Sequence, residues 1–279
     1  MDLHNRTAVI TGAAGGIGLG IARACLDEGM RVMASDLDAE RLRETTDALR
    51  EAGGRVVGHP CDVRDLQSVD DLRDAALAEF GSVDLVCNNA GVGLARPLLE
   101  TTDADWRLLL DVNIGGVANG VRSFLPLMVE QGGGHLNATA ALSGLIGDPD
   151  LAIYNATKFA VVGLMESLAL EMLRDHPGVT CSVLCPGPVA TDLMATSDRM
   201  LVDAGSTDSL TDGRNDQLAG YLAAGLQPDE IGRMVVSGIV AGDFWLLPHP
   251  DLTFGLLDDR QEAMRRRRLF HAGDWTLQK

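Results

Sequence analysis

Aromatic residues make up only 4% of the 279 positions, too few for the interior of a β-sandwich or barrel. Positive charge is scarce as well. The 23 Lys and Arg stand against 40 Asp and Glu, and the net charge of −17 repels phosphate backbones and anionic lipid, so neither nucleic acid nor a membrane surface is expected as a partner. The one basic run, Arg265 to Arg268, reads as a solvated helix face. No stretch approaches about 18 consecutive apolar residues, and the opening Met1-Asp-Leu-His-Asn-Arg has no charged leader with a long apolar core; a soluble, cytoplasmic protein is expected. There is no C-x-x-C pair. Cys25, Cys61, Cys87, Cys181 and Cys185 sit singly in apolar segments, as buried thiols in a reducing compartment would. On a strand, Cys181 and Cys185 would lie roughly 13 Å apart, too far to share a metal, and no metal site is expected. No linker rich in Pro, Ser or charge divides the chain, which reads as one domain.

What is present is 46% hydrophobic residues, 32 glycines and a regular alternation. Short apolar runs at 7–11, 31–35, 55–59, 83–87, 134–139, 179–184 and 244–247 alternate with helical patterns near 16–28, 38–51, 65–80, 103–131, 152–175 and 228–241. Such alternation predicts right-handed βαβ crossovers: a doubly wound parallel sheet of about seven strands with helices on both faces, the Rossmann type of α/β fold. Ligands of such sheets bind beyond the carboxyl ends of the strands.

The motifs fall at those ends. The first strand runs into Thr11-Gly12-Ala-Ala-Gly-Gly16-Ile17-Gly18, where glycines permit a tight turn and the next helix offers free N–H groups to a pyrophosphate. Asp36 lies 24 positions beyond Gly12, at the end of the second strand; a carboxylate there accepts from ribose hydroxyls and repels a 2′-phosphate. NAD is therefore expected rather than NADP, the more so because Ala13, Ala14, Gly15 and Leu37 supply no cation. Tyr154 and Lys158 stand four apart at the start of a helical pattern, so phenol and ammonium share a face. A neighbouring positive charge draws a phenol's pKa from about 10 toward neutrality and suits it to acid/base work on an alcohol or carbonyl oxygen.

Together, T-G-x-x-x-G-I-G, Asp62-Val63, Asn88-Asn89-Ala90-Gly91, Asn113, Y-x-x-x-K and Pro186-Gly187-Pro188-Val189-Ala-Thr191 resemble the short-chain dehydrogenase/reductase family in order and spacing, over residues 3 to about 248. The resemblance implies hydride transfer between a nicotinamide and a small-molecule alcohol or ketone. It implies that Gly12, Gly16, Ile17 and Gly18 line the pyrophosphate, that Asp36 with Leu37 meets the adenosine ribose, and that Asp62 and Val63 flank adenine. Asn89, Ala90, Gly91 and Val112 would lie along the cofactor, and Pro186, Gly187, Val189 and Thr191 would meet its carboxamide and pyrophosphate end. Tyr154 would be the acid/base; Lys158 would tune it and hold the nicotinamide ribose, and Asn113 would hold a relay water. The segments at 103–131 and 152–175 pair between subunits in this family, which implies a homodimer or homotetramer.

One position departs from the pattern. The family's serine, thirteen residues before the tyrosine, is Ala141 here, while Ser143-Gly-Leu matches the following step without a gap. Three readings fit: an engineered Ser→Ala replacement in an otherwise intact site, a natural enzyme using Ser143, Thr139 or a substrate group instead, or a catalytically silent member that binds nucleotide or ligand. Within enzymes, an NADP-linked biosynthetic ketoreductase is the alternative to an NAD-linked dehydrogenase.

From Asp192 to Gly225 the periodicity breaks down, and by the resemblance this connection is a substrate lid, with Met194 adapting to an apolar substrate. Ser143, Leu145, Ile146 and Leu151, with Leu94 and Arg96, are expected to complete the substrate wall. The catalytic domain so read spans 1–250. Residues 251–279 extend beyond the minimal fold, with Leu252, Leu256, Leu257, Met264 and Leu269 suggesting an amphipathic helix that packs on its own domain or a neighbouring subunit. This outline is similar to that of bacterial family members that oxidise bulky aromatic or alicyclic secondary alcohols. His249 reads as a solvent-facing loop residue.

Overall fold

The computed structural model describes residues 2–206 and 213–270. Among them, strands β1 Thr7–Thr11, β2 Arg31–Asp36, β3 Val56–Pro60, β4 Leu85–Asn88, β5 Gly134–Thr139, β6 Val179–Leu184 and β7 Trp245–Leu246 form one parallel sheet in the order β3-β2-β1-β4-β5-β6-β7. This is a single-domain α/β Rossmann fold. Successive side chains of a strand enter opposite cores: Val9 and Val86 face one, and Ala8, Ile10, Leu85 and Cys87 the other. A strand buried on both faces must be apolar throughout, hence the unbroken runs in the sequence. Helices α1 Gly16–Asp27 and α2 Ala39–Glu51 cover one face; α3 Leu66–Phe80 covers the other.

Local chemistry sets the helix boundaries. Asp38 accepts from the Arg41 backbone N–H at the start of α2, Asp65 does the same for Gln67 in α3, and Gly81 closes α3 in the left-handed region that favours glycine. The stretch expected as one helix at 103–131 is instead α4 Asp103–Leu109, a π-helical turn over Leu110–Gly115, and α5 Gly116–Glu130. The long helix α6 Ala152–Asp175 follows with the bounds the sequence predicts.

The connection from 192 to 225 is more regular than its sequence. Two helices, α7 Leu193–Asp203 and α8 Arg214–Ala223, occupy it, and residues 207–212 lie outside the described residues. The helical period of α7 is masked because one inward position is Ser197, fully buried between Met194 and Leu201. Its Oγ donates to the Leu193 carbonyl (2.7 Å) and accepts from the Gly93 N–H (2.8 Å).

Helix α9 Pro228–Ala241 packs on α1, and α10 Pro250–Arg265 follows β7. Leu256 of α10 joins Leu142 and Ile146 in a small core, and the Arg260 guanidinium stands 5.5 Å from the centroid of the Phe159 ring, so the described part of the extension packs on its own domain. Met264, in the last turn of α10, and Leu269, beyond the helix end at Arg265, both expected on its apolar face, are instead exposed. Residues 271–279 lie outside the described residues. No described helix is long and apolar enough to cross a membrane.

Helices α1 and α9 touch backbone to backbone: a Cβ on Gly20 would overlap the Pro228 carbonyl, and one on Gly232 the Gly20 carbonyl. Gly20→Ala is therefore expected to destabilise the fold by about 2–3 kcal/mol, read as a lower urea midpoint with an unchanged slope; an unchanged midpoint would show that the two helices can separate freely.

Candidate active site

The strand order reverses between β1 and β4, and a groove opens beyond their carboxyl ends. At its centre is the N-terminus of α1, whose first turn contains no acidic residue and whose cap Gly15 offers no side-chain bond, leaving the N–H groups to an incoming anion. Gly12 and Gly16 both hold positive φ (66° and 50°); a Cβ on Gly12 would lie 3.0 Å from the Ala90 Cα. With Ile17 and Thr191 they form a floor of backbone that fits a dinucleotide's pyrophosphate. Gly18, assigned to that floor from sequence, is off the groove wall: a Cβ there would overlap the Gly12 carbonyl, so it serves the packing of helix on loop.

At the end beyond β2 Asp36 is fixed by backbone, Oδ2 accepting from Ala14 N–H and Oδ1 from Asp38 N–H, each at 3.1 Å. Leu37, Asp62 and Val63 line the same end. Arg64 donates to both oxygens of Asp62 and holds its carboxyl below the usual range. Ala13, Ala14, Gly15 and Leu37 bring no cation to this end, but Arg41 does. From the first turn of α2 its guanidinium reaches over Gly15, lines the groove and pairs with Asp192 on the far side at 3.0 Å. A side chain five residues past Asp36 carries no motif signal; only the fold brings it over the glycine loop.

At the other end, Thr11 Oγ1 accepts from the N–H groups of Asn89 and Ala90, which with Gly91 and Val112 form one wall. Lys158 and Tyr154 come from the first turns of α6, the ammonium 5.6 Å from the phenol ring centroid. Lys158 is 4% exposed and donates to the Thr139 carbonyl at 2.9 Å. Burial pushes Lys158 down to about 8 and the Tyr154 phenol well above its ordinary value. Desolvation outweighs the attraction expected from the neighbouring ammonium, and the phenol keeps its proton at neutral pH.

Asn113 sits in the π turn, fully buried and off the groove wall. Its Oδ1 accepts from Val92 N–H (2.9 Å) and its Nδ2 donates to the Val92 carbonyl (2.9 Å) and Thr157 Oγ1 (3.1 Å). Both amide protons are used within the fold, so holding a relay water would fall to its main-chain carbonyl. Pro186, Gly187 and Val189 close the groove from the β6 side. There His249, expected to face solvent, is half-buried, and its Nδ1 accepts from the Gly187 N–H at 3.1 Å. Burial lowers its pKa, in keeping with a neutral ring in that bond.

Ala141 is extended (φ −170°, ψ 169°), 7% exposed, and lines the groove beside Tyr154. The chain turns immediately into a 3-10 turn over Leu142–Gly144, so Ser143 leaves the strand direction. Neither neighbouring hydroxyl substitutes for a serine in this arrangement: Thr139 Oγ1 donates to Asn89 Oδ1 (3.1 Å), and Ser143 Oγ to Asp148 Oδ2 (3.2 Å).

A second cavity continues the groove past Ala141 and Tyr154. Leu94, Ser143, Leu151 and Met194 line it, as expected, together with Leu218 and Tyr221 of α8. Leu145 and Ile146 do not: the 3-10 turn sends Leu145 into the main core and Ile146 toward Leu256 of α10. Arg96 is likewise off the wall, its buried guanidinium paired with the buried Asp105 carboxylate at 2.6 Å.

A glycine-floored groove at the switch point of a parallel sheet, ending on a half-buried tyrosine beside a buried lysine, defines a nucleotide-linked oxidoreductase of Rossmann type. The chain belongs to the short-chain dehydrogenase/reductase family, whose short chain dehydrogenase model matches residues 6–201. It is 31% identical over 266 residues to a CLA biosynthesis dehydrogenase/reductase of Lactiplantibacillus plantarum, covering 93% of each chain. A short-chain dehydrogenase/reductase of Burkholderia phymatum in complex with NAD superposes with a TM-score of 0.93 at 34% identity, over 97% of this chain and 98% of that one. A single-residue variant of actinorhodin polyketide ketoreductase with NADPH is similar at a TM-score of 0.74 and 32% identity, over 88% and 95% of the two chains. The protein is thus an oxidoreductase of this family, with ketoreductase-like relatives and a nicotinamide cofactor.

Because the folded pKa of Lys158 lies below its unfolded value, the folded state sheds that proton first, and stability gains from this group as pH rises from about 8 toward 10.5. Relative to Lys158→Met, the parent chain should gain about 1–2 kcal/mol between pH 8 and 9.5 in denaturant unfolding. A flat difference would show that the ammonium is solvated.

Proposed function

We propose that this chain is an NAD-dependent dehydrogenase that moves a hydride between nicotinamide and a bulky, largely apolar secondary alcohol or its ketone, with Tyr154 as general acid/base. The observation that carries this reading is the placement of the Tyr154-Lys158 pair where the glycine-floored groove opens into a cavity lined by Leu94, Leu151 and Met194. Bound nicotinamide supplies the hydride chemistry; the chain supplies placement and protons. In reduction, the protonated Tyr154 hydroxyl donates to the oxygen as negative charge develops there. In oxidation it takes the alcohol proton, which requires positive charge beside it, and Lys158 is the group placed to provide it. With one proton on the Thr139 carbonyl, the ammonium keeps two for a ribose hydroxyl and a relay water. Asp36 holds the adenosine ribose and disfavours a 2′-phosphate; Leu37, Asp62 and Val63 border adenine, and Gly187, Val189 and Thr191 the carboxamide and pyrophosphate end.

Ala141 stands where a second donor to the reacting oxygen belongs. With Ser143 and Thr139 engaged elsewhere, the proton donation falls to Tyr154, and the chain reads as a Ser→Ala variant of reduced activity. The silent-binder alternative rests on the same residue. The NADP-linked ketoreductase alternative is favoured by one observation, the Arg41 guanidinium beside the glycine loop. Exposed Leu110, Leu170 and Leu173 on the π turn and α6 support a homodimer or homotetramer, and five buried free thiols suit a reducing, cytoplasmic setting.

Ala141→Ser is expected to raise kcat by roughly 100- to 1000-fold with NAD and a panel of bulky secondary alcohols, the cost of one missing donor to a developing oxyanion. If cofactor binds yet neither version turns over, the silent-binder reading stands. Asp36→Ala is expected to shift the ratio of NAD to NADP affinity by at least about tenfold toward NADP in cofactor titrations. Tighter NADP binding by the parent chain would reverse the assignment.

A further inference from the structure

The cavity beyond Ala141 and Tyr154 is apolar along most of its wall, with Leu94, Leu142, Leu151 and Leu218 among its residues. Asp148 breaks that wall. Its carboxyl lies between the 3-10 turn and the lid helix α8, in the same cavity as Tyr221. Oδ2 accepts from Ser143 Oγ at 3.2 Å, and Oδ1 is buried with no hydrogen-bond partner among the described residues. Arg214, the cation of α8, pairs with Asp150 (3.5 Å) and Glu100 (3.8 Å). Burial raises the pKa of Asp148 against the lowering effect of Ser143, and burial together with the negative charge of Asp148 raises Tyr221 to about 12.

A carboxylate normally accepts several hydrogen bonds, and a buried oxygen left without one costs on the order of 1–3 kcal/mol. An apolar residue at 148 would avoid that cost in a pocket built only for a hydrocarbon skeleton. A carboxylate only accepts, so where Asp148 meets the cavity it selects for a donor. We propose that Asp148 is a specificity-determining residue, and that the substrate carries a hydroxyl, remote from its reacting carbinol, which donates to this carboxylate. The inference rests on the dehydrogenase reading above, because it takes the cavity next to Tyr154 as the substrate's place. The substrate class narrows from a secondary alcohol to a largely apolar diol or hydroxyketone whose two oxygens lie at opposite ends of the molecule.

The test is a binding measurement that does not depend on turnover. The probes are 1-phenylethanol and 1-(2-naphthyl)ethanol, each unsubstituted, with a terminal hydroxyl, or with a terminal methoxy group. Each is titrated by calorimetry into the parent chain in complex with NADH, and into Asp148→Leu and Asp148→Asn. The parent should bind a hydroxyl probe about tenfold more tightly than its unsubstituted and methoxy counterparts. Asp148→Leu should abolish that preference while binding the unsubstituted alcohol at least as well. Asp148→Asn, nearest in shape, should retain part of it and guards against a folding defect in the leucine variant. Equal affinities across a series, a methoxy probe binding as tightly as the hydroxyl probe, or no binding of any probe would overturn the proposal. Turnover of the unsubstituted alcohols by Ala141→Ser, assayed separately, decides the dehydrogenase reading itself: turnover without a hydroxyl preference would sink this inference and leave that reading standing.

Discussion

The buried carboxamide of Asn113 is the contact on which the site depends. It grips both the N–H and the carbonyl of Val92, in the loop after β4, and donates to Thr157, whose hydroxyl in turn donates to the Tyr154 carbonyl (2.7 Å). Three segments distant in sequence are thereby fixed to one another at the point where proton transfer is proposed. The π turn that carries Asn113 interrupts a long helical run at just this place. π-helical turns are uncommon and concentrate at functional sites, where the extra residue per turn shifts the direction of a side chain. The local irregularity and the global placement of Tyr154 are one arrangement.

A second requirement follows from the sheet. The groove lies where β1 meets β4, and its floor is the glycine loop between β1 and α1. That loop keeps its shape because α1 is held down on both sides, by the sheet beneath and by α9 above at backbone contact. Asp36 is held by the N–H groups of Ala14 and Asp38, so the carboxylate proposed to accept from the ribose is oriented before any ligand arrives. Preorganised groups of this kind keep the ordering cost of binding small. Side chains placed by long-range contact then finish the site: Arg41 over Gly15, and His249 beneath Gly187.

The strands and most helices were legible because a parallel sheet buried on both faces demands continuous apolar runs, and its helices show their caps. β1, β5 and β6, and helices α6 and α9, have the bounds the pattern predicts. The groove was legible because its backbone geometry needs glycine at 12 and 16, a constraint written in residue identity. Other features depend on tertiary contacts that no local window records. Leu145 and Ile146 are apolar residues beside a pocket, and only the direction of the 3-10 turn says that they face the core. Helix α7 hides its period behind the inward Ser197, satisfied by the N–H of Gly93 from a distant loop. Arg41, Asp148 and His249 carry no motif; their partners come from the far end of the chain or from a turn whose path the sequence does not reveal.

The pairing of β1 with β4 aligns Ala8 with Leu85, so the two strands that frame the groove come from distant parts of the chain. Neither the βαβ unit that carries the glycine loop nor the half that carries Tyr154 contains a complete groove. A dinucleotide held there would have only part of its grip until the long-range pairing has closed, the slowest kind of contact for a folding chain to make. Its full binding energy would be drawn by the finished sheet and only a share of it by a partly folded form. Ligand occupancy would therefore act on this chain as a selection for the completed topology, deepening the native state more than the intermediates that precede it.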